Sequence, residues 1–136
     1  MTTKTLFVLA ALFTLLLGLA WMLFPGALLS AWGIAGSPAL IYMARRYAVL
    51  FLGNAVILWS ARSAPQSPAL RAIIAGSFTS TALMAFMSLD GVINAAINTT
   101  GLIAFGLEAS LTICFGYFLF AKRGWNSAVA KTTDRL

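Results

Sequence analysis

The sequence predicts an all-α integral membrane protein: an antiparallel four-helix bundle with a short interfacial segment between the first and second helices. Three observations carry that expectation. Hydrophobic residues make up 61% of the 136 positions and charged residues 9%, the balance of a membrane protein rather than a soluble domain. Mean hydropathy is +0.94. The apolar residues also gather into four runs of about 20 residues, each long enough to cross a hydrocarbon core of roughly 30 Å at 1.5 Å per residue. One domain, residues 1–136, is expected.

The first helix, about 5–24, follows Lys4. A secretory signal peptide is the rival reading, but the apolar run continues through Trp21, Met22, Leu23 and Phe24 without a polar cleavage region. Pro25 and Gly26 end it. Residues 27–34 are apolar yet too short to span, which places them at the interface with Trp32 at headgroup depth. Ser37-Pro38 then reads as N-cap and first helical position, where proline's missing N–H leaves nothing unpaired. This second helix runs 38–61 and is closed by Trp59 and Arg62.

Ser67-Pro68 repeats the signal for a third helix, 68–89, whose Ser77, Thr81 and Ser88, with Gly76, Thr79 and Ala85 nearby, suit close packing and interhelical hydrogen bonds. Asp90-Gly91 marks its end. Residues 92–100 form a loop or short surface helix, and Asn98-Thr99-Thr100, although it matches a glycosylation sequon, reads more simply as cap chemistry for the fourth helix, 100–121. Lys122-Arg123 stops that helix, Trp125 anchors it, and the tail 122–136 is expected to be cytoplasmic and loosely ordered.

The net charge of +6 does not point to nucleic acid, because the basic residues sit at the ends of apolar runs, as orientation signals do. Of nine Lys and Arg, seven fall at the N-terminus, the second loop or the C-terminus, and none in the first and third loops. By the positive-inside rule both termini are cytoplasmic, in a bacterial inner membrane. The absence of histidine excludes histidine-ligated haem, His-containing zinc sites and His-dependent nucleophilic catalysis. Cys114, the one cysteine, lies in an apolar helix and reads as an inert thiol. No cofactor or metal is expected.

Two positions break the apolar pattern. Arg45 and Arg46 stand inside the second helix, where an arginine at the membrane centre costs about 2.5–3.5 kcal/mol and normally snorkels or meets polar groups. Only three acids exist, and Asp134 belongs to the tail, so Asp90 and Glu108 are the candidate partners. Arg46 lies about 12 Å into its helix and Glu108 about 10 Å into its own, from the same side. The expectation is a polar cluster in the outer half: Arg45, Arg46, Asp90 and Glu108, with Tyr42, Tyr47 and Asn54 beside them and Phe105 and Phe115 as an apolar wall. Consecutive helical residues point about 100° apart, so one arginine faces Glu108 while the other joins Tyr42 or Asp90 at an opening. The cluster reads as a structural ion-pair lock, as the lining of a ligand cavity, or as an arginine that snorkels outward.

Phe24-Pro25-Gly26, Trp32-Gly33-Ile34, an arginine early in the second helix followed by Gly53, Asp90-Gly91, and Glu108 before a basic stop together resemble a family of small, uncharacterised bacterial four-helix membrane proteins. A looser similarity extends to DoxX-like membrane proteins. The resemblance implies fold and membrane location, and no activity.

The preferred functional reading is a non-enzymatic membrane protein whose polar cluster organises a pocket for membrane lipid or an amphipathic, quinone-like small molecule. The alternative is an accessory subunit, docking to another membrane protein or to its own copies, with the cluster as a lock. An enzyme comes third: a buried carboxylate can move protons, but neighbouring arginines would hold it charged.

Overall fold

The computed structural model describes residues 2–121, and among them the chain is helical without strands. In order these are α1 (Thr3–Leu23), α2 (Pro25–Ala31), α3 (Pro38–Ala61), α4 (Pro68–Ile93) and α5 (Gly101–Gly116), which runs on into a π-helical turn, Tyr117–Ala121. Four of these helices are long and apolar enough to cross a membrane, which defines a multi-pass membrane protein built as a four-helix bundle. Lys122-Arg123, Trp125 and the tail lie outside the described residues.

Local chemistry sets the helix starts. The Ser37 and Ser67 hydroxyls each accept the backbone N–H three residues on, from Leu40 and Leu70, at 3.2 Å, with Pro38 and Pro68 opening the first turn. Thr2 caps α1 in the same way through Thr5. The short α2 ends at Gly33, whose φ of +78° is left-handed; Ile34 N–H bonds to Leu29 C=O and Gly33 N–H to Ser30 C=O, both at 2.9 Å, a Schellman closure. At the far end of α3 the Arg62 guanidinium lies 4.2 Å from the Trp59 ring centroid, a cation–π contact.

Two expected boundaries shift. Asp90-Gly91 does not end α4, which continues to Ile93, because Gly91 stays helical and Asp90 Oδ1 accepts from Asn94 Nδ2 at 2.9 Å. The stop is another Schellman closure, with Ala96 N–H on Gly91 C=O at 2.8 Å and alanine, Ala95, at the left-handed position with φ of +54°. A side chain there is strained by about 1 kcal/mol. Ala95→Gly is therefore expected to raise stability by about 0.5–1 kcal/mol, read as a higher thermal midpoint in detergent. An unchanged or lower midpoint would contradict the strain.

The second shift concerns Asn98 and Thr100, expected to cap the fourth helix. Thr100 is the N-cap residue of α5 but makes no side-chain cap bond. Instead the Asn98 amide at 2.9 Å and the Thr100 hydroxyl at 2.7 Å both donate to Ala31 C=O, and Asn98 N–H donates to Trp32 C=O at 2.9 Å. Asn98 Oδ1 still accepts from the local Thr100 N–H at 3.1 Å, while the donors of Asn98 and Thr100 clasp the 92–100 segment to the carbonyls at the end of α2.

Packing divides the bundle into α1 with α3 and α4 with α5, while α3 and α4, although consecutive, approach each other little. Along α1 the buried residues Phe7, Ala11, Thr14, Gly18 and Trp21 recur every three or four positions, facing Ala44, Ala48, Ala55 and Leu58 of α3. Small residues bring these backbones together. A Cβ on Gly18 would lie 2.8 Å from Leu52 Cδ2 and 3.2 Å from Ala48 O. Away from α2, all four long helices close on one core containing Leu6, Phe7, Leu58, Ile74, Phe115 and Phe118. Cys114, half-buried, packs against it. Toward α2 the helices do not close, and a hollow remains.

Candidate functional site

The hollow has a volume of about 570 Å³ and is walled by all four long helices, with α2 and the 92–100 segment over its end. That size is ordinary for a small-molecule site. Trp21 of α1 and Trp32 after α2 meet edge to face, with ring centroids 5.4 Å apart, and both line it. Trp32, expected at headgroup depth, is thus part of a roof. The hollow is open at its rim, where the lining residues Met43 of α3, Met87 of α4 and Leu107 of α5 are exposed.

One polar corner interrupts these apolar walls. Glu108, on the same face of α5 as the lining residue Ala104 one turn earlier, is 8% exposed, and its Oε2 accepts from the Ser88 hydroxyl of α4 at 2.7 Å. The two match in level: Ser88 is five residues from the end of α4 and Glu108 seven from the start of α5, roughly 8 and 10 Å along antiparallel helices. Tyr47 reaches across from α3, donating its hydroxyl to Met84 Sδ and standing edge-on to Phe51 at 4.9 Å. This tyrosine bridges the two helices that otherwise stand apart.

The expected cluster is only partly assembled. Arg45 and Arg46 are exposed, and among the described residues neither forms an ion pair, so Glu108 has a serine where an arginine was expected. Helical phase is the cause. Because Ala44 and Ala48 are buried against α1 and Tyr47 turns to the hollow, residues 45 and 46 are rotated onto the outer surface, beside exposed Tyr42. Both arginines therefore take the outward orientation, where a long side chain snorkels toward headgroups. Asp90 is exposed too, engaged with Asn94.

Of the remaining expected residues, Tyr47 lines the hollow, whereas Asn54 is half-buried outside it, without a hydrogen-bond partner among the described residues. Phe105 is half-buried but not in the wall, and Phe115 belongs to the closed core. The aromatic wall comes instead from Phe13, Phe51 and the two tryptophans. Ser88 makes the interhelical hydrogen bond expected of it, but the expectation did not include it in the site. Its signal was available, since it is a hydroxyl at the same level as the only acid within a predicted span.

Among the described residues no group of three or more His, Cys, Asp or Glu assembles, so the corner presents one carboxyl and one hydroxyl. No protein-family model matches the chain, and comparison with curated proteins and with solved structures gives no significant match. The functional reading rests on this geometry.

Proposed function

We propose that this chain is a ligand-binding protein of a bacterial inner membrane, taking an amphipathic small molecule from the bilayer through the open rim of the hollow. The observation that carries the reading is a largely apolar hollow with one polar corner, Ser88 and Glu108, inside a membrane bundle. Such a site orients a molecule by its polar end and accommodates its tail along the walls. The exposed Met43 and Met87 suit a lateral doorway, since methionine is flexible and adapts to what passes. Native mass spectrometry of gently extracted protein is expected to show a small-molecule adduct, lost in Ala104→Trp, which fills the hollow from α5. An adduct that persists in that variant would show that it binds elsewhere.

In this reading both termini are cytoplasmic, and α2 with the 92–100 segment faces outward, as the distribution of basic residues indicates. In a Cys114→Ser background, a membrane-impermeant maleimide applied to intact cells is expected to label Ser37→Cys and spare Gln66→Cys. The reverse pattern would invert the orientation. A second reading, as an accessory subunit, is favoured by the arginine pair on the outer surface of α3, with Gly53 exposed further along the helix and nothing within 4 Å of where its Cβ would be. In the same native spectra, a stoichiometric protein adduct in place of the small molecule would support that reading.

A further inference from the structure

We propose that the class of molecule this hollow selects is a lipophilic cation, an organic ammonium or other onium ion whose positive head lies between Glu108 and the surrounding aromatic rings. This rests on the hollow being a ligand site. Three observations single out positive charge. Among the described residues Glu108 is the only ionisable acid or base in the walls besides Tyr47, and the one hydrogen-bond partner of its carboxyl is a neutral hydroxyl. An ionised carboxylate withdrawn from water is stabilised chiefly by an opposite charge, and an unpaired one is costly. The protein's own candidates do not supply that charge, because Arg45 and Arg46 are turned to the outer surface of α3.

The second observation is the ring content. Trp21, Trp32, Tyr47, Phe51 and Phe13 all contribute to the lining. Aromatic faces carry negative quadrupole potential and attract desolvated cations, tryptophan most strongly. The third is what the walls lack. Among the described residues they hold no arginine or lysine, so a fatty acid or another anionic amphiphile would find no counter-charge there. A neutral head could bond to Ser88 and Glu108, but only a cation supplies the counter-charge that a buried carboxylate lacks. Charge, rings and volume converge on a bulky apolar cation.

The test uses the purified full chain in nanodiscs and equilibrium binding of three probes: tetraphenylphosphonium, its near-isosteric anion tetraphenylborate, and neutral dodecanol. Ala104→Trp serves as the blank for partition into lipid. Saturable tetraphenylphosphonium binding is expected, about tenfold or more tighter than that of either other probe. Glu108→Gln, whose amide carbonyl can still accept from Ser88, is expected to weaken it by about tenfold while the thermal midpoint is retained. Trp32→Leu should weaken it as well.

If dodecanol or tetraphenylborate binds as tightly and Glu108→Gln leaves tetraphenylphosphonium unaffected, the cation inference fails while the ligand site stands. If no probe binds above the blank and native spectra show no adduct, both fail. If no probe binds above the blank but the native adduct is present, the cation inference alone is overturned.

Discussion

Phe7→Ala is expected to destabilise the purified protein by about 3 kcal/mol, the largest loss from any single truncation in the bundle. Phe7 is 0% exposed and meets Phe115 edge to face, ring centroids 6.4 Å apart and interplanar angle 85°, where all four long helices close. Truncation leaves a cavity with helices on every side. The low end of the usual 3–5 kcal/mol applies because lipid is itself apolar, so the cost is lost packing more than exposure to water. Leu16→Ala, at a position 66% exposed on the same helix, is the control and should change little. Equal effects at the two positions would mean that the core does not hold the bundle together.

Gly18→Leu is expected to cost up to about 3 kcal/mol by the opposite mechanism, overpacking. A Cβ at this position already meets Leu52 Cδ2 at 2.8 Å and the backbone oxygen of Ala48 at 3.2 Å. Leu52 can rotate away, but the Ala48 carbonyl cannot move without its helix. Gly18→Ala is therefore expected to be mild and Gly18→Leu severe, a graded series readable as thermal midpoints in one detergent. The larger residue also pushes α1 from α3 beside Leu17 and Trp21, so ligand binding should weaken together with stability. A Leu variant as stable as wild type would mean that α1 and α3 are further apart than Gly18 implies.

How far the sequence reveals this molecule depends on which coordinate is asked for. Helix α3 is legible to its ends, because Ser37-Pro38 is a chemical start and Ala61-Arg62 a chemical stop. The end of α4 is not, because its left-handed position is filled by Ala95 and no glycine announces it. At the site, depth is legible and azimuth is not. Counting residues from a helix start places Glu108 at the right level, but it cannot say that Ala44 and Ala48 will press on α1 and carry Arg45 and Arg46 outward. Charge was the misleading guide: opposite charges at one depth suggest a pair, whereas small side chains, which pack closest, decide which faces meet. The Asn98 and Thr100 bonds to Ala31 were equally illegible, since they depend on where a segment 67 residues earlier comes to rest.

The uneven closure of the bundle has a mechanical consequence. The α1–α3 pair and the α4–α5 pair are welded at one end by a hydrocarbon core and joined at the other by the hydrogen bonds of Asn98 and Thr100 to α2, the geometry of tweezers held shut by a small latch. Along α3, the distance from Leu58 in the weld to Tyr47 at the doorway is roughly 17 Å. With that lever arm, a turn of about 5° at the weld would widen the doorway by about 1.5 Å. The latch bonds lie at the far tip, where the lever arm is longest, and the Tyr47–Met84 bond adds a second tie across the α3–α4 gap itself.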